Sequence, residues 1–132
     1  MIHIIDNEPF ICDLVSTVAA FLGSPSKTFG SERSYLCYML NDTYTPPDMM
    51  FSNIDLPEGM GCALSTLIKQ QYPDVTFILM REGISSAASC DSNEHKNKHP
   101  VDHILQKPFN VRELIEFVGT IPSKRTQAIV QP

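Results

Sequence analysis

Hydrophobic and polar positions along the chain follow two periods, and the period switches repeatedly between them. Met1–Ile5 is a short apolar run that ends in Asp6-Asn7-Glu8. Pro9 then suits the first turn of a helix, where its missing N–H removes nothing. Phe10, Ile11, Leu14, Val15, Val18 and Phe21/Leu22 recur at helical spacing, and Gly23 closes the segment. Ser26–Phe29 reads as a second strand. Ser31 is placed to cap a second helix reaching about Leu40, with Tyr35, Leu36, Met39 and Leu40 on its buried side.

After the loop Asn41–Pro47, Asp48–Asn53 predicts a third strand whose near-continuous apolar character suits a position covered on both faces. A turn follows at Asp55–Gly61. Helical spacing returns at Ala63, Leu64, Leu67 and Ile68 and ends near Tyr72-Pro73. Val75–Met80 is the strongest strand signal, and Val101–Leu105 predicts a fifth strand. Asn110 caps a last helix, with Glu113 set for a reciprocal capping box and Leu114, Ile115 and Val118 as its apolar stripe. One stretch breaks the pattern. Ile84, Ala87 and Ala88 can start a fourth helix, but Asp91–His99 is wholly polar and offers no apolar face. A short or disordered fourth helix and a mobile loop are expected there.

Five strand–helix alternations imply a parallel sheet with helices on both faces. Such sheets place their chemistry just beyond the carboxyl ends of the strands. Those positions hold Asp6, Asn7, Asn53, Arg81 and Lys107. One domain over residues 1–121 is expected, followed by a linker or tail at 122–132 that has no periodicity.

Composition changes this picture only at the margins. A net charge of −5 argues against a nucleic-acid surface. No window carries the roughly eighteen apolar residues of a membrane span, and no signal peptide precedes the first strand. A cytoplasmic setting is expected. The four cysteines, Cys12, Cys37, Cys62 and Cys90, form no CxxC pair and read as reduced core residues. His95, His99 and His103 are spaced by four, but Pro100 interrupts any helix and lysines lie between them, so a solvated loop is the expectation and no metal. His3 reads as a packing residue of the first strand.

The strand-end strings carry a family resemblance. IHIIDNEP, PDMMFSNIDLP, YPDVTFILMR and DHILQKPF resemble, in this order, the first, third, fourth and fifth strands of receiver domains of two-component response regulators. The resemblance covers roughly residues 1–119. It implies a flavodoxin-like three-layer α/β sandwich with strand order 2-1-3-4-5. In that family an acidic pair and an acceptor aspartate hold Mg²⁺, the acceptor becomes an acyl phosphate, and a lysine with a hydroxyl residue steadies the phosphoryl oxygens. Here Asp6 and Lys107 match the pattern. Asn7 stands for the second acid, Asn53 for the acceptor, Arg81 for the hydroxyl residue and Ile104 for the switch aromatic.

These departures imply a degenerate receiver, or pseudo-receiver, with no enzymatic role and no cofactor. One carboxylate with a lysine and an arginine gives the pocket a formal charge of about +1, against about −2 for the family site, and such a pocket repels a metal ion. Arg81 is expected to fold over and pair with Asp6. The leading expectation is a phosphorylation-independent module for protein interaction or homodimerisation in bacterial signalling. By family analogy its surface is the face of the fourth helix, fifth strand and last helix, around Ile104, Arg112 and Glu116. A covalently linked output domain beyond Pro132 fits the same reading. Two alternatives stay open: an anion or nucleotide sensor using Arg81 and Lys107, and a phosphorylatable receiver with Asp55 as a displaced acceptor.

Overall fold

A computed structural model of the chain describes residues 1–53, 61–82 and 101–119. Five strands pair in parallel throughout: β1 (Ile2–Ile5), β2 (Ser26–Phe29), β3 (Met49–Asn53), β4 (Thr76–Glu82) and β5 (His103–Lys107), in the order β2-β1-β3-β4-β5. Four helices are described: α1 (Pro9–Phe21), α2 (Glu32–Met39), α3 (Gly61–Gln71) and α4 (Val111–Val118). The strand order and the layering are those expected of a flavodoxin-like sandwich. The helix expected after Gly83, the tail beyond Gly119 and the turn that holds Asp55 lie outside the described residues.

Side-chain alternation along the strands sorts the core into two halves. Ile2, Ile4, Met49, Phe51, Ile78, Met80 and Leu105 face α1 and α4, where they meet Ile11, Val15, Val18, Leu114 and Val118. Ile5, Met50, Phe77 and Leu79 face α2 and α3, where they meet Tyr35, Leu64 and Ile68. Strand β3 is buried at every position, which matches its unbroken apolar run.

Local signals account for the helix ends. Pro9 opens α1, and Gly23 takes φ 82° just past its end, a conformation that favours glycine. The Ser31 side chain accepts from the Ser34 N–H, and Asn110 and Glu113 form the reciprocal capping box. Strand β5 begins two residues later than its apolar run suggests, because Asp102 is used otherwise. Its carboxylate accepts from the Phe77 N–H at 2.7 Å and pairs with Lys69 at 2.6 Å, pinning the strand's entry.

Several apolar residues expected inside are outside. Phe10 and Phe21 of α1, Leu40 at the end of α2 and Ile115 of α4 are exposed, and so is Val111 of α4, for which the periodicity made no prediction. Ile115 therefore does not belong to the buried stripe of the last helix, which is Leu114 and Val118 with Phe117 partly covered. Of the cysteines, Cys12 is buried as expected but Cys37 is exposed on α2, both as free thiols.

Candidate functional site

Parallel register brings the expected strand-end residues to one edge of the sheet but not to one face. Ile5 pairs with Ser52 and Asn53 with Met80, so Asp6 and Asn53 follow as neighbours at the ends of β1 and β3. Asp6, Asn53 and Lys107 continue the alternation of Ile4, Phe51 and Leu105, on the α1/α4 side. Arg81 continues that of Phe77 and Leu79, on the α2/α3 side.

The centre of the site is a buried ion pair. Lys107 Nζ lies 2.8 Å from Asp6 Oδ2, and both side chains are almost fully shielded from water. The other carboxylate oxygen, Oδ1, accepts from the Glu8 N–H at 2.9 Å and more distantly from the Asn53 amide at 3.4 Å. The Asn53 amide also reaches Asn7 Oδ1 at 3.4 Å. Lys107 makes a second, longer contact of 3.4 Å with the half-exposed Glu8.

Two expectations need correction. Arg81 does not pair with Asp6: Lys107 holds that carboxylate, and the strand's alternation turns Arg81 to the opposite face. Its Nε is buried with no hydrogen-bond partner. The pocket is also not cationic. Glu8, which follows Asn7, adds a second carboxylate, so with Arg81 on the opposite face Asp6 and Glu8 formally outnumber Lys107. An acid directly after the strand-end pair was the signal for it.

That donor set does not suit a divalent cation. Of the three positions that would supply oxygen anions, only Asp6 is a carboxylate, and it is already neutralised by an ammonium group. Nor does it suit an anion. A cavity of about 230 Å³ opens beside the site, between the start of α1 and the end of β2, and its lining, which includes Asp6, Cys12, Asp13, Thr28 and Phe29, contains no basic residue among the described ones.

Arg81 gives a direct test of its own role. Arg81→Met keeps an apolar stem beside Phe77 and Leu79 and deletes the buried donor. Stability should stay constant or rise by up to about 1 kcal/mol. A urea titration showing a loss above about 2 kcal/mol would mean that the guanidinium holds a partner worth keeping.

At the expected interaction face, Ile104 is half-buried and packs into the α2/α3 half of the core. Arg112 and Glu116 are exposed on α4, which covers the opposite face of the sheet. The three residues thus flank the edge strand β5 from two sides. The His103 and Phe117 rings meet in a tilted contact with centroids 5.0 Å apart. His95 and His99 lie outside the described residues. No helix among the described residues is long and apolar enough to cross a membrane.

Compared by sequence, the chain matches no family model and no curated relative. Compared by structure, it resembles receiver domains. The receiver domain of NtrX from Brucella abortus superposes with a TM-score of 0.71 at 24% identity, over 92% of this chain and 97% of that one. The BeF3-activated DrrB receiver domain gives 0.71 at 23% identity, over 92% and 96%. The beryllofluoride-activated NtrC4 receiver domain dimer gives 0.68 at 18% identity, over 93% and 96%. At these identities the shared property is the architecture, and the chain has the fold of response-regulator receiver domains.

Proposed function

We propose that the chain is a pseudo-receiver: a phosphorylation-independent, non-enzymatic module that acts in bacterial signalling by binding protein. The observation that carries this reading is the end of β3. A phosphoacceptor there must present a carboxylate, whereas Asn53 presents an amide that donates toward Asp6. The lysine that would steady a phosphoryl group is bound to Asp6 and Glu8. The partner is a protein or a second copy of the chain, and an output domain attached beyond Pro132 is compatible with it. A cytoplasmic location goes with the same reading. An anion-sensing role has less support, because Lys107 is engaged by Asp6 and Glu8, the neighbouring cavity has no basic residue in its lining among the described ones, and Arg81 and Lys107 lie on different faces of the sheet.

The test is chemical silence. Acetyl phosphate, or beryllofluoride with Mg²⁺, should leave the amide spectrum of the domain unchanged. Asn53→Asp alone should restore little, since Asn7 still withholds the second acid and Lys107 still occupies Asp6. Acid-labile phosphate on Asp6 or Asp55, or a beryllofluoride-dependent spectral change in the wild type, would overturn the reading.

A further inference from the structure

Helix α1 carries two stripes where a surface helix needs one. Ile11, Val15 and Val18 enter the core. Phe10, Leu14, Thr17 and Phe21 recur at i, i+4, i+7 and i+11 and form a second stripe beside it. Phe10 is 71% exposed and Phe21 80%. The flank of this stripe can be placed. Ser16 hydrogen-bonds Ser26 of β2 at 2.8 Å, and Cys12 and Asp13 border the cavity beside Thr28. Those residues mark the β2 side of α1, so the second stripe leans to the other side, where α4 lies.

Helix α4 answers it. Phe117 turns to the outer edge, against His103 of β5. Val111 and Ile115, 48% and 36% exposed, lie on the flank away from Phe117, toward α1. The two helices share one core cluster and run side by side on one face of the sheet. Their exposed apolar flanks therefore border a common strip. Large exposed apolar residues on a folded domain are ordinary when scattered; grouped along facing helix flanks they mark a contact surface.

From this strip we infer that two copies of the chain associate through their α1/α4 faces. The charge pattern names the occupant. Arg112 and Glu116 stand one turn apart on the outer ridge of α4, beside the strip, and both are exposed. When two α4 helices meet antiparallel about a twofold axis, Arg112 of each copy comes opposite Glu116 of the other. The pattern is thus complementary to itself, as a twofold interface requires. Val111 and Ile115 likewise oppose each other across the axis. The inference deepens the reading of the chain as an interaction module and rests on it; it moves the expected contact from Ile104 to the helical face.

Sedimentation velocity over a concentration series tests it on the full chain without phosphate donors. The wild type should dimerise. Ile115→Glu and Phe21→Ser should each weaken the dimer at least about tenfold, while Ile104→Glu should not. Arg112→Glu should weaken it, and the swap Arg112→Glu with Glu116→Arg should restore it; circular dichroism confirms that each variant is folded. A wild type that remains monomeric at the highest attainable concentration overturns the inference. So does a dimer lost in Ile104→Glu and kept in Ile115→Glu, or one indifferent to all these changes. Beryllofluoride binding measured separately tells whether the module reading itself has failed.

Discussion

Replacing Lys107 by methionine should lower the stability of the domain by about 3 kcal/mol, the cost of leaving a buried carboxylate without its counter-ion. Asp6 is fully covered, and among the described residues Lys107 supplies the one ammonium group on it, at 2.8 Å. The remaining contacts are the Glu8 N–H and a long contact to the Asn53 amide, which are neutral donors. In a urea titration the midpoint should fall while the slope stays constant, as expected when contacts are lost without a change in exposed surface. The double change Asp6→Asn with Lys107→Met removes both charges and should recover most of the loss, because a neutral amide tolerates the same burial. A single variant within about 1 kcal/mol of wild type would show that the pair is hydrated in solution, and its structural role would be abandoned.

The pair gives Asp6 and Lys107 a structural reason to occur together, whatever chemistry the site performs. In a phosphorylatable receiver the lysine must be available to a phosphoryl oxygen that comes and goes. In this chain it is engaged by Asp6 and Glu8. Once Asp6 is buried, any loss of Lys107 leaves a charge without compensation, so stability by itself ties the two together. The switch position follows the same logic. Ile104 packs into the core beside α2 and α3 and has no ring to expose or retract.

What could be read from the sequence was local. Element type follows from the period of apolar positions, and caps follow from residues within one turn, so the Asn110–Glu113 box, the Ser31 cap and the five strands were legible. Strand register is not local. It pairs Arg81 with Gln106 and sets it one step beyond the Asn53–Met80 pair, which decides the face it occupies. The sequence placed Arg81 at the strand end correctly and could not say which side it would take. The exposed Phe10, Phe21 and Leu40 were misread for another reason. Apolar character says that a residue prefers to be covered, not that this domain covers it. Glu8 ends the polar run after the first strand and reads as solvent-facing, while its reach to Lys107 appears only once β5 lies near the start of α1.

Acidification should destabilise the domain through His3. The ring sits wholly covered on β1, with Nδ1 hydrogen-bonded to the Tyr35 hydroxyl at 2.8 Å and Nε2 buried without a partner. Tyr35 passes the network on to the Tyr44 hydroxyl at 2.7 Å, and Phe29, Tyr38 and Tyr44 meet the imidazole edge-on. Burial, then the charges of Lys27 and of the N-terminal ammonium, hold its pKa down to about 4. In the unfolded chain the same ring titrates near about 6.5. Above that value it is neutral in both states and the full stability is present. Between about 6.5 and about 4 the unfolded state takes up a proton that the folded state refuses, so stability falls as pH falls, by about 3 kcal/mol across the window. Below the folded value the loss from this group stops growing. His3→Gln keeps a polar partner for Tyr35 and removes the titration. Its stability at neutral pH should be somewhat lower, yet its decline between neutrality and pH of about 4.5 should be shallower than that of the wild type by about 2 kcal/mol. Equal slopes in chemical denaturation for the two proteins would show that His3 is protonated in the folded domain, and that the aromatic cluster around it accommodates a cation.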